Sequence, residues 1–252
     1  MTDIDTELLD DSRELGNNPR GRRYSPEMPV NIFVVESELP ESETSVKDTW
    51  EVERDMMKQA GQLGKHEFIA GQSSEELDAA MERFAEWTRD IPCDEPVLLW
   101  LSVHGRTPKA KGHVGTSGVT ARKQLIEWFK FFNPAKNSTC PSRIVLLMDV
   151  CWGGSPTAPS RLTTPKASRP HMVFGPRRAA YRNELDSAFE EVVGIVKTGA
   201  LPTEDDAKTI VDKLNQKYPP VNDGEFYVGW WWDATGLKRH PAITKNAVNG
   251  TR

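Results

Sequence analysis

Two residues stand where a sequence can place chemistry. His104 follows the apolar run Pro96–Val103, and Cys151 closely follows the run Arg143–Met148, 47 positions further on. Neighbouring parallel strands lie about 4.8 Å apart, and open α/β sheets collect ligand and catalytic groups at the carboxyl ends of their strands. Two such runs side by side would therefore bring His104 and Cys151 to one cleft. There an imidazole, or its positive field, keeps a thiol as thiolate and protonates the leaving group after acyl transfer. Gly105 and Gly153 let the backbone approach a substrate, and the N–H groups of Gly105 and Cys151 are candidates for an oxyanion hole. Each residue alone has a plainer meaning, since free cysteine is among the most buried residue types and a strand-end histidine can simply bond to backbone. Their joint placement, with Asp149 and Gly153 beside them, favours nucleophilic catalysis. Cys93 and Cys140 have no such context and read as structural. His66, His113, His171 and His240 have no partner at ligand spacing, so no metal site is expected.

The elements that must hold this dyad follow from the apolar pattern. The chain has 252 residues and 28.3 kDa, enough for a sizeable core. Residues 1–29 are polar and lack a sustained period, which predicts a flexible N-terminal arm. Val30–Val35 reads as a strand buried on both faces. A helical spacing over Trp50, Met56, Met57, Ala60 and Leu63 ends at Gly64, and a weaker strand follows over His66–Ala70. Ser73 and Glu76 predict a capped helix carrying Leu77, Ala80, Met81, Phe84 and Trp87, stopped by Pro92. Gly112, Gly115 and Gly118 mark a loop or small hairpin, and Leu125 to Phe132 form an amphipathic helix. Residues 155–170 compose an exposed linker. Beyond it come a strand at His171–Phe174, helices at Glu184–Lys197 and Asp205–Leu214, a strand at Phe226–Trp232, and a C-terminal tail at 239–252. Strands alternating with helices predict a mostly parallel sheet with helices on both faces, spanning 30–238.

Composition excludes several functions. The net charge of −5 gives no basic footprint for nucleic acid. No apolar run approaches the length of a membrane helix, and the acidic start from Met1 to Asp11 is unlike a secretory signal, which places the chain in the cytoplasm. Three cysteines without C-x-x-C spacing disfavour a disulfide framework and a structural zinc site.

The pairing of Val103-His104-Gly105 with Asp149-Val150-Cys151-Trp152-Gly153 resembles the caspase/metacaspase superfamily of cysteine endopeptidases. The caspase signature sets a His about 50 residues before Q-A-C-[RQG]-G. Here Cys151 and Gly153 match, while Asp149, Val150 and Trp152 replace the other three, which is closer to metacaspases and their bacterial relatives. The resemblance implies a caspase-like three-layer sandwich with a mostly parallel sheet of about six strands. It implies Cys151 as nucleophile and His104 as general acid/base on a protein or peptide substrate, with no cofactor. It also implies that Asp149 lines the pocket for the residue before the scissile bond, P1. A carboxylate pairs bidentately with a guanidinium, so Arg is expected there and Lys more weakly.

Trp230 and Trp232 would fall on one face of their strand and Trp231 on the other. Core packing is the first reading of this pattern, and an aromatic wall for positions upstream of P1 is the alternative. Arg177-Arg178 is a second specificity element or a solvated turn. Arg161, Lys166 and Arg169 in the linker are candidate self-processing sites of a zymogen. Calcium, used by several metacaspases, is not expected, because the loop 106–120 contains no Asp or Glu. A separate regulatory or activating protein and a role in stress or antiviral defence complete what the resemblance implies. The competing classes are a catalytically silent interaction module of the same fold and a cysteine hydrolase of non-protein amides, the latter leaving Asp149 unexplained.

Overall fold

The computed structural model describes residues 29–37, 45–105, 113–115, 123–124, 143–154, 170–218 and 225–241. Its centre is set by runs too apolar to leave either face in water. β1 (Val30–Ser37), β3 (Val97–Ser102), β7 (Ile144–Met148) and β8 (Met172–Pro176) are buried at every position, as expected of strands covered on both sides. With β2 (Leu63–Gly71), β9 (Tyr227–Asp233) and β10 (Gly236–His240) they form one seven-stranded sheet in the order β10-β9-β8-β7-β3-β1-β2. The pairs β1–β2, β1–β3, β3–β7 and β7–β8 are parallel, and β8–β9 and β9–β10 antiparallel. A second, three-stranded antiparallel sheet is built from β4 (His104–Gly105), β5 (His113–Gly115) and β6 (Lys123–Gln124).

Alternation along the strands makes two cores. Phe33, Val35, Leu99, Leu101, Leu146 and Met148 pack with Leu77, Met81, Phe84 and Trp87 of α2 (Ser74–Trp87). On the opposite face, Val34, Leu98, Trp100 and Leu147 pack against α1 (Val46–Gln59), α3 (Arg182–Val196) and α4 (Glu204–Lys217). The result is the three-layer α/β sandwich, with helices on both faces of a mostly parallel sheet. Among the described residues no helix is long and apolar enough to cross a membrane.

Several local expectations are corrected. The first helix stops at Gln59, and the chain turns at Gly61, whose φ of 67° is left-handed and suits glycine. Gly64 lies inside β2 instead, and Met56 faces solvent while Val46, Trp50 and Met57 are buried. Ser73 caps α2 as its sequence predicts, accepting from the Glu76 N–H at 3.2 Å. That helix ends at Trp87, and a 3-10 turn over Thr88–Asp90 precedes Pro92. The sheet is completed at one edge by β10, which runs through His240.

Cys93 is disulfide-bonded, with its partner outside the described residues, and among the described residues Cys151 is the free cysteine. This corrects the expectation that the cysteine spacing disfavours disulfides. The expected helix at 125–132, the linker 155–170 up to residue 169 and most of both terminal segments lie outside the described residues.

Candidate active site

β3 and β7 are neighbours and parallel, with Leu101 paired to Met148, so the chain leaves both strands at the same sheet edge. Past Ser102 it enters β4, where His104 pairs with Gly115. Past Met148 it forms a tight turn over residues 151–154. Three backbone bonds fix that turn: Gly153 N–H donates to Val150 at 2.7 Å, Trp152 N–H to Arg178 at 3.1 Å, and Gly154 N–H to Pro176 at 2.7 Å. The last two fasten the cysteine turn to the end of β8. Trp152 takes a φ of 68°, rare for a residue with a side chain, and such strain persists where the surroundings over-determine the backbone.

The segments carrying His104 and Cys151 touch through Gly105. A Cβ on Gly105 would collide with the carbonyl oxygen of Cys151 and come within 2.9 Å of Val150 Cγ1. Gly105→Ala is therefore expected to push the two segments apart. Cys151 alkylation by iodoacetamide, followed by intact mass, should slow at least tenfold while the far-UV circular dichroism stays near wild type. An unchanged alkylation rate would mean that this contact does not shape the thiol's surroundings.

Two residues before the cysteine, Asp149 is 3% exposed. Its Oδ2 accepts from the indole N–H of Trp100, whose ring stacks on Phe189 at 3.7 Å between centroids. Oδ1 has no hydrogen-bond partner. Burial pushes the Asp149 carboxyl up to about 8, opposed by the Trp100 hydrogen bond and the charge of Arg182, while Asp186 adds to the rise. Tyr227, also buried, is held well above its usual value by burial and by the Asp149 charge. Arg182 is engaged by Asp186 at 2.6 Å, which leaves Asp149 without a close cation among these neighbours.

Asp149 continues a row. Glu36 of β1 pairs with Ser102 of β3, and the β3–β7 register carries that line on to Asp149. All three are buried at the carboxyl ends of their strands. The Glu36 carboxylate is held by Ser45 Oγ and by the Val46 N–H, each at 2.6 Å, at the start of α1. These two bonds fix the orientation of the Glu36 side chain, two strands from Asp149.

No family model and no curated protein matches the sequence. Solved structures do match. Caspase-1 from Spodoptera frugiperda superposes with a TM-score of 0.51 over 84% of this chain and 92% of that one, at 14% identity. The Drosophila initiator caspase Dronc gives 0.53 over 91% of each chain, at 8% identity. The fold is that of the caspases. At such identities the likeness fixes the caspase-like architecture, and the roles of individual side chains rest on their chemistry in this chain.

Within the caspase-like fold, Trp230 and Trp232 face one core and Trp231 the other, as alternation requires. Trp230 is buried, and its indole N–H donates to the Gly154 carbonyl at 3.2 Å. It packs in the core and holds the cysteine turn. Arg177 and Arg178 are both paired, to Glu225 at 2.5 Å and to Glu184 at 2.6 Å. Arg178 also stacks on Phe226 at 4.4 Å, so the solvated-turn reading does not describe it. Arg161, Lys166 and Arg169 lie outside the described residues, as do Cys140 and the His113 side chain.

Sequence reasoning missed Glu36, Ser102 and Trp100. The available signal was a polar residue at the end of an apolar run, as Glu36 follows Ile32–Val35 in β1 and Ser102 closes β3. Trp100 carries a further expectation. Trp100→Phe removes the donor that favours the ionised carboxylate, so the Asp149 pKa should rise above that of wild type. Carbon-13 NMR of labelled aspartate reads this shift, and an unchanged titration would show that the indole does not control the carboxyl.

Proposed function

We propose that the chain is a caspase-like cysteine endopeptidase that cleaves protein substrates after Arg, and more weakly after Lys. The observation that carries the proposal is the buried Asp149 carboxyl, with Oδ1 unbonded, two residues before a free cysteine at the sheet edge. Burying a carboxyl without a full set of partners costs several kcal/mol, and a guanidinium entering the pocket would offset that cost with paired N–H groups.

In the reaction, the Cys151 thiolate attacks the carbonyl carbon of the scissile bond. The oxyanion that forms accepts from the Gly105 and Cys151 N–H groups. His104 gives its proton to the departing amine, leaving an acyl-enzyme. Water, deprotonated by the same imidazole, then releases the carboxylate product and regenerates the thiol.

Fluorogenic peptides that differ only at P1 test the assignment. Hydrolysis should be fastest after Arg, slower after Lys and negligible after Asp; a preference for Asp would overturn the pocket. Self-cleavage at Arg161, Lys166 or Arg169 belongs to the same proposal. Purified wild type should show fragments beside the 28.3 kDa chain, with Cys151→Ala intact. Identical intact masses for both would argue against it.

A further inference from the structure

On the other face of the sheet from Asp149, two guanidiniums share one carboxylate. Arg177, just past β8, pairs with Glu225 Oε2 at 2.5 Å, and Arg239 of β10 lies 3.5 Å from the same oxygen. The Arg239 side chain is only 6% exposed, and none of its three nitrogens makes a hydrogen bond. Its guanidinium lies over Trp230, 5.5 Å from the ring. Burial and the Arg177 charge hold its pKa below the usual guanidinium value, with Glu225 opposing.

A guanidinium offers five N–H donors in a planar fork. Removing it from water without bonds is among the costlier arrangements a fold can hold. Among the described residues, one carboxylate serves two cations, and Arg177 and Glu225, exposed by 27% and 26%, form the solvent side of the cluster. The cluster is tied to the cysteine turn twice. Trp230, beneath Arg239, bonds Gly154, and Pro176, next to Arg177, accepts from the Gly154 N–H.

We propose that Arg177 and Arg239 form a carboxylate-binding site that receives an acidic side chain of a peptide lying along the Cys151 turn. The carboxylate accepts from the unbonded Arg239 fork, and Arg177 closes over it. The peptide as source rests on the endopeptidase reading; the carboxylate site does not. The site is separate from the Asp149 pocket, since Trp230 and Leu237 mark its face as that of α2, whereas Trp100 and Phe189 mark the other.

Thermal unfolding with sodium glutarate, against sodium chloride at equal ionic strength, tests the site. Wild type should gain several degrees in glutarate. Arg239→Met should lose that gain and, without glutarate, unfold at or above the wild-type temperature, because it removes a buried charge that makes no hydrogen bond. Arg177→Gln, which keeps the Arg239–Glu225 pair, should reduce the gain and guards against a misfolded Arg239→Met. An equal gain in both variants, or none in wild type, overturns the site.

Arg-P1 peptides carrying Glu or Gln at single upstream positions test the source. Wild type should favour Glu at one position by about tenfold or more, and Arg239→Met should bring that ratio near one. Hydrolysis without any Glu preference would overturn the peptide source even if the glutarate gain persists. If no peptide is cut, the endopeptidase reading falls, and the glutarate measurement still decides the site.

Discussion

Cys151→Ala is expected to abolish hydrolysis of an Arg-P1 peptide, with a loss of about 10⁴-fold or more in kcat, and His104→Ala to lose about 10²- to 10⁴-fold. The two losses should not add, because thiolate and imidazole act as one unit and removing either removes the covalent route. The double variant should therefore be no worse than Cys151→Ala. Neither substitution touches the strands that build the core, so both variants should keep wild-type circular dichroism. Full activity in Cys151→Ala would place the chemistry elsewhere. Folded but silent wild type, unreactive at Cys151 toward a peptidyl electrophile, would favour the interaction-module reading.

Asp149→Asn is expected to erase the preference for a cationic P1 side chain. The informative quantity is the ratio of kcat/KM for Arg over its uncharged isostere citrulline, because titration of the Cys151/His104 pair cancels in that ratio. In wild type the carboxyl stays protonated below about pH 8, so the ratio should rise with pH up to that point and then level. In Asp149→Asn it should be flat and lower by about 30- to 1,000-fold, as expected when one partner of a buried charge pair is removed.

Stability should change in the opposite sense. The folded-state pKa of about 8 lies above the ordinary 3.8, so between those values the folded chain holds a proton that the unfolded chain has released. That contribution is complete below about pH 4 and is lost as pH rises through 8, at up to about 1.4 kcal/mol per unit. Asp149→Asn, which keeps an acceptor for Trp100, should therefore gain in melting temperature over wild type as pH rises from 5 to 8. A constant difference across that range would show that the carboxyl is ionised throughout.

The central strands were legible because β1, β3, β7 and β8 are buried on both faces and their residues are apolar almost without break. The neighbouring placement of the His104 and Cys151 strands followed from the same runs. Both sheet edges were harder to read, for one reason. β2 carries Lys65, His66 and Glu67, and β10 carries Lys238, Arg239 and His240. Edge strands tolerate or require charge, which erases the apolar signal and moved one helix stop to Gly64.

Asp149 was legible as a residue but not as an environment. Its burial and its raised pKa depend on Trp100, Tyr227 and Arg182, which only the folded sheet brings together. The Cys93 disulfide was likewise invisible, since spacing does not give connectivity. The Arg239 cluster combines a strand read as tail with an arginine pair that the sequence left between two meanings.

The most direct measurement is intact-mass labelling with an arginyl peptide bearing a thiol-reactive electrophile, compared with its citrulline and aspartyl counterparts. One adduct is expected, at Cys151, forming fastest with the arginyl probe. It should form much more slowly with the arginyl probe in Asp149→Asn and His104→Ala, and not at all in Cys151→Ala. Equal labelling by all three probes, or faster labelling by the aspartyl one, would contradict a Cys151 nucleophile set beside an acidic pocket.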